Sequence, residues 1–198
     1  MGQILSSCTS CCSDAQPYED VDSYQKLSDI GTNTNDDNIH CQGTLGQHME
    51  TASKTGALAF PGKKLDEFPE ALQKVSGNLR NLDLSNNKIA TIPKWIANFK
   101  SLKTLNLSGN QLNSLPEEIG QLSKLENLIV SKNCLSGALP KSLGKLKNLK
   151  ELDASGNKLS KFPVSLAGLN HLNSLDLSSN KISAIPDGIE ELHLHRYL

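Results

Sequence analysis

The chain has 198 residues, with 20 Lys and Arg against 21 Asp and Glu, a formal net charge of −1, and only 4% aromatic residues. A near-neutral chain gives no electrostatic case for general nucleic-acid binding, and an aromatic-poor core is unlike the pockets of most small-molecule enzymes. No apolar run approaches the roughly 18–20 residues of a membrane-spanning helix, and the length suits one domain with a tail.

The N-terminus lacks the charged start and the apolar stretch of about 7–15 residues that mark a secretory signal, so the chain is expected to stay on the cytosolic side. Instead, Met1-Gly2-Gln3-Ile4-Leu5-Ser6 fits the myristoylation pattern, with Gly2 exposed once Met1 is removed and Ser at the sixth position. Cys8, Cys11 and Cys12 follow directly. One myristoyl chain binds membranes only marginally, with K of order 10⁴ M⁻¹, so stable anchoring takes a second signal. The tail has no basic cluster, and its acidity would be repelled by an anionic leaflet. Palmitoylation of Cys8, Cys11 and Cys12 is what remains. A zinc site drawn from Cys8, Cys11, Cys12, His40 and Cys41 lacks the second paired spacing of a zinc module, and disulfides are disfavoured in the cytosol. No metal or cofactor is expected.

Residues 13–47 carry seven acids, Asp14, Glu19, Asp20, Asp22, Asp29, Asp36 and Asp37, against the single strong base Lys26. They are rich in Ser, Thr, Asn and Gly and show no helical or strand period. Such a segment cannot bury enough apolar surface to offset the entropy of ordering, so residues 1–50 are expected to be disordered. Within them Tyr18-Glu-Asp-Val21 and Tyr24-Gln-Lys-Leu27 have the Y-x-x-apolar form read by endocytic adaptors or, when phosphorylated, by SH2-type pockets. Four-residue patterns of this kind also arise by chance.

Residues 51–78 read as a degenerate capping unit. Leu58-Ala59-Phe60 and Leu65 hold the phase of the repeats beyond residue 78, Lys63 stands where an Asn recurs later, and Phe68-Pro69 through Val75 read as a short helix ended by Gly77. From residue 79 the segment Leu79-Arg80-Asn81-Leu82-Asp83-Leu84-Ser85-Asn86-Asn87-Lys88-Ile89 returns with copies beginning at Leu102, Leu125, Leu149 and Leu172. Each copy is followed by apolar-Pro-x-x-apolar-x-x-apolar, as in Ile92-Pro93 with Ile96 and Phe99. Five phased copies of L-x-x-L-x-L-x-x-N-x-L identify a leucine-rich repeat array. The expected fold class is therefore α/β: a curved solenoid over 79–198 whose alternating x-L-x-L-x stretches stack into a parallel sheet on the concave face. Asn87, Asn110, Asn133, Asn157 and Asn180 recur just beyond each strand, where donor and acceptor together suit a structural ladder to the adjacent turn. The extra residue in Ser136-Gly137-Ala138 maps to a turn that should leave the stack intact. After Leu192 the chain enters a new repeat and stops without a polar cap, so Ile182, Ile185, Ile189 and Leu192 are expected to be thinly covered and to promote self-association.

The 23-residue form resembles the intracellular leucine-rich repeats of Ras-pathway and cell-polarity scaffolds. The blocks His48-Met-Glu-Thr-Ala-Ser-Lys-Thr-Gly56, Lys64-Leu-Asp-Glu-Phe-Pro69 and Asn78-Leu-Arg-Asn-Leu-Asp-Leu-Ser-Asn-Asn-Lys88 carry the likeness over residues 48 to 192. The resemblance implies a non-enzymatic, membrane-associated protein without a defined biochemical role. The acidic segment at 13–47 departs from it, and the array ends early, which reads as a shortened isoform or an incomplete gene model.

No Ser-His-Asp or Cys-His grouping and no glycine-rich phosphate loop stands in the sequence, and Cys134, beside a ladder Asn, reads as a structural thiol. The expected function is a scaffold or interaction module, lipid-anchored at Gly2, Cys8, Cys11 and Cys12 on the cytoplasmic face of a membrane. The alternative is an accessory subunit of an enzyme such as a phosphatase or ubiquitin ligase. A protein partner is expected on the concave face, where alternation exposes a central row of Asp83, Asn106, Ile129, Asp153 and Asp176. Asn81, Thr104, Asn127, Glu151 and Ser174 flank it on one side and a column of serines on the other. Ile129 is apolar at the centre of a polar row, as a hot spot would be, and the carboxylates suit a basic partner segment. The competing surface is convex, with Trp95 expected to be exposed beside Lys141, Lys145 and Lys147.

Overall fold

The computed structural model describes residues 40–184, with side chains from residue 48 onward. Gly2, Cys8, Cys11, Cys12, both tail tyrosines, and Ile185, Ile189 and Leu192 of the fifth repeat's convex block lie outside the described residues.

Helix α1 (His40–Thr55) comes first. The expected tail boundary at residue 50 falls inside it. The sequence signal is thin because a single narrow stripe does the packing: Ala52 is fully buried, Met49 lies against the core, and the His48 ring meets Phe60 edge-on at 5.0 Å. Gly56, at φ +74, ends the helix in a conformation that L side chains rarely adopt. Its carbonyl then accepts N–H bonds from Arg80 and Asn81, at 2.7 and 3.0 Å, and ties the helix end to the first full repeat.

Strand β1 (Ala57–Ala59) belongs to the degenerate unit, and β2 (Asn81–Asp83), β3 (Thr104–Asn106) and β4 (Asn127–Ile129) each belong to one repeat. The insertion in the third repeat, expected to be a turn, forms a two-residue strand, β5 (Ser136–Gly137). After β6 (Glu151–Asp153) comes β7 (Lys158–Leu159), and β8 (Ser174–Asp176) follows. β5 and β7 pair with each other as a second, two-stranded sheet, because the added residue brings one more backbone group within reach of the next repeat. The main sheet is six-stranded and parallel in the order β1-β2-β3-β4-β6-β8. Its register is unbroken by the insertion, with Leu58, Leu82, Leu105, Leu128, Leu152 and Leu175 in one row.

Opposite the sheet, Pro69, Pro93, Pro116, Pro140 and Pro163 each open a short 3₁₀ helix: Glu70–Val75, Lys94–Asn98, Glu117–Gln121, Lys141–Lys145 and Val164–Gly168. Proline fixes φ near −65° and has no N–H to lose at a helix start, which accounts for that position. Between the two faces Leu and Ile side chains stack rung on rung. Leu102, Leu105, Leu107, Ile119, Leu128, Leu143 and Leu152 are fully buried, each contributing about 1.5–3 kcal/mol relative to exposure.

Candidate functional site on the concave face

The ladder asparagines fix where the concave residues stand. Asn110 Nδ2 donates to the carbonyls of Leu107 in its own repeat (3.0 Å) and Leu84 in the repeat before (2.9 Å), while Oδ1 accepts the Ile89 N–H at 3.0 Å. Asn87, Asn133, Asn157 and Asn180 make the equivalent pair of bonds across their boundaries. Each amide therefore holds two turns together from the interior.

On that frame Asp83, Asn106, Ile129, Asp153 and Asp176 lie opposite one another across the sheet, as do Asn81, Thr104, Asn127, Glu151 and Ser174. Four steps at about 4.8 Å make the central row about 19 Å wide, near the length of six extended residues. Asn81 and Glu151 are exposed, and the other eight are half-buried.

The central row has a local job that the sequence reading missed. Asp83 Oδ1 accepts the N–H of Ser85 at 2.8 Å, and Asn106, Asp153 and Asp176 do the same for Ser108, Ser155 and Ser178 at 3.1, 3.0 and 2.8 Å. These are Asx turns closing the strand end. Each aspartate uses one oxygen there and leaves the second outside the turn. The serine column is correspondingly less open than expected: Ser85 and Ser131 are buried, and the hydroxyls of Ser108 and Ser155 donate to Asn106 and Asp153. Ile129 occupies the same position with no acceptor to offer.

Two further departures concern other faces. Trp95, expected to be exposed, is half-buried, edge-on to Phe68 at 5.3 Å and stacked on Phe99 at 6.0 Å. The degenerate unit supplies Phe68 at the rung below, which draws the indole inward. Glu126 was not singled out from sequence. Its two oxygens accept from Lys103 Nζ at 2.8 Å and Lys150 Nζ at 2.6 Å, and these hydrogen bonds bring its carboxyl down to about 2. The signal was present as the column Arg80, Lys103, Glu126, Lys150, Asn173 at repeat spacing.

Stacked parallel strands, proline-started 3₁₀ turns and an interior asparagine ladder define a leucine-rich repeat solenoid. The chain belongs to the leucine-rich repeat proteins: a leucine-rich repeat region matches residues 70–157, and a two-copy leucine-rich repeat pattern matches residues 147–192. A leucine-rich repeat protein of Leptospira interrogans is similar at 28% identity and a TM-score of 0.63, over 75% of this chain and 43% of that one. The BIR3–SERK2 complex from Arabidopsis thaliana contains a chain 37% identical, with a TM-score of 0.57, over 65% of this chain and 70% of that one. The Arabidopsis receptor kinase HAESA ectodomain, in complex with an IDA peptide hormone ligand, is 36% identical with a TM-score of 0.54, over 59% of this chain and 20% of that one. This chain thus spans less than half the length of the Leptospira protein.

Proposed function

We propose that this chain is a non-enzymatic interaction module, held at the cytosolic face of a membrane by acylation of Gly2 and the neighbouring cysteines, that binds a basic protein segment on its concave face. Ile129 is the observation that carries the partner site. The other four repeats place Asp or Asn at this position and cap the strand end with it; the third repeat gives up that cap for a half-buried apolar side chain. A residue that forgoes local stability without an evident structural return marks a site kept for another purpose. Asp153 beside it and Glu151 at the rim add carboxylates to which an Arg or Lys can pair. Solved relatives bound to a peptide hormone and to a second protein support a protein partner. The sequence blocks at 48–56, 64–69 and 78–88 resemble leucine-rich repeat-containing protein 57, which supports the membrane-side, non-enzymatic reading.

The test is quantitative affinity capture from cell extract with wild type, Ile129→Asn and Asp153→Lys, with Lys141→Ala as a convex control. Ile129→Asn restores the side chain that Asn106 uses, so its stability should stay within about 1 kcal/mol of wild type. Its partner binding should weaken by about 1–3 kcal/mol, as at a moderate hot spot. Partners retained equally by wild type and Ile129→Asn would remove the concave assignment.

A further inference from the structure

One lateral edge of the solenoid, where each convex turn passes into its strand, is a ribbon of cations. Backbone bonds stack it rung on rung: the N–H of Lys103 donates to the Arg80 carbonyl at 2.7 Å, Glu126 to Lys103 at 2.8 Å, Lys150 to Glu126 at 2.7 Å, and Asn173 to Lys150 at 2.8 Å. Lys100, Lys124 and Lys147 precede the same buried leucines, Leu102, Leu125 and Leu149, and complete the ribbon with Arg80, Lys103 and Lys150. All six cations are exposed. Across the segments 76–80, 100–103, 123–126, 147–150 and 170–173 the acid is Glu126 alone, and its two oxygens are already taken by Lys103 and Lys150. The concave face beside it carries Asp83, Glu151, Asp153 and Asp176. The array is therefore polarised, acidic where a partner is proposed and basic along this edge.

We propose that this basic edge lies against an anionic lipid leaflet and supplies the electrostatic membrane signal that the acidic tail cannot. The proposal deepens the membrane-side reading above but does not depend on acylation. The chemistry favours lipid over nucleic acid: these segments hold no Phe, Tyr or Trp on which a base could stack, and no net basic excess exists over the whole chain. Cations held in rows on rigid β-stacked rungs match a diffuse planar charge, toward which each Lys or Arg near the surface adds about fivefold in partition. Surface charge of this kind adds to whatever acyl chains the tail carries. Gly2 is separated from α1 by residues 3–39, a length whose full extension is at most about 130 Å, so an anchored Gly2 leaves the edge within reach of the leaflet. With this edge down, the concave face stays open to a protein.

The test uses the full chain carrying Gly2→Ala, so that no acyl group contributes, and sedimentation with vesicles of phosphatidylcholine alone or with phosphatidylserine added. Partition to the anionic vesicles is expected to exceed that to neutral ones and to fall as salt rises. Lys100→Glu, Lys124→Glu and Lys147→Glu together should lower it by about a hundredfold or more, and the corresponding Gln variants should lower it in the same direction without introducing repulsion. Reversal of Lys88, Lys132 and Lys181 on the opposite edge should change it only a few-fold. Equal partition to both vesicles, or equal loss from the opposite-edge variant, overturns the proposal. Anionic binding that emerges only after the acids from Asp14 to Asp37 are neutralised assigns the edge to the chain's own acidic segment and overturns it too.

Discussion

Replacing Asn133 by Ala isolates what one rung of the interior ladder is worth. Asn133 is 6% exposed and makes four bonds: Oδ1 accepts the Leu112 N–H at 2.9 Å, and Nδ2 donates to the carbonyls of Leu107, Val130 and Ser131 at 2.9, 3.1 and 3.1 Å. After truncation the carbonyls are not orphaned. Leu107 keeps Asn110 Nδ2, Val130 keeps Asn157 Nδ2, and Ser131 keeps the Gly109 N–H. The Leu112 N–H does lose its partner, at a fully buried residue. An unsatisfied buried donor costs about 1–3 kcal/mol, and the weakened carbonyl contacts bring the expected loss to about 3 kcal/mol. Asn180 makes the same pattern of bonds at a half-buried position, where water can replace the amide, so Asn180→Ala should cost only about 1 kcal/mol. Asn133→Asp should be worse than Ala, because it sets a carboxylate against carbonyl oxygens and offers no donor. Urea unfolding followed by circular dichroism, with the slopes compared to check that one cooperative transition is being measured, would read these differences. Equal losses at 133 and 180, or a loss below about 0.5 kcal/mol at 133, would refute the reasoning that orphaned backbone donors set the cost.

Gly120→Ala should destabilise by about 1–3 kcal/mol, because its Cβ would overlap the backbone carbonyl of Ser142 where neighbouring convex turns touch; Gly77→Ala, with open space around it, should be nearly neutral by thermal melt. The Glu126 carboxyl, held at about 2 by Lys103 and Lys150, is depressed from its ordinary value, so its stabilisation is present above about pH 4.5 and lost as pH falls toward 2; Glu126→Gln should shrink the difference in melting temperature between pH 7 and pH 2, and an unchanged difference would count against the bridge. Gly2→Ala should lower the share of the chain in the membrane fraction of cells at physiological salt and abolish labelling by an alkyne myristate analogue, whereas unchanged fractionation and labelling would dismiss the acyl anchor.

The sequence alone determined the repeat, its phase and the faces of its strands. A 23-residue period with leucines at alternating strand positions leaves only stacking as a way to bury them, and the rows through Leu82 and Asp83 follow from that period of two. The recurrent Asn was equally legible, since one residue type at one phase of every repeat points to a backbone role. What the tertiary structure decided depends on neighbours that are distant in sequence or subtle in pattern. The helix His40–Thr55 owes its place to Met49 and Ala52 meeting a core end that the local sequence does not reveal. Trp95 turned inward because Phe68 stands one rung below, and the inserted Gly137 became a strand because Leu159 offered it a pairing edge. The turn-capping use of Asp83, Asn106, Asp153 and Asp176, which gives Ile129 its meaning, is a hydrogen-bond fact that residue identity only permits. Likewise the cations from Arg80 to Lys150 are scattered along a nearly neutral chain and form a ribbon only once stacking brings residues 23 or 24 apart onto adjacent rungs. Periodicity specifies which residues share a row; the packing of one row against the next decides what that row can do.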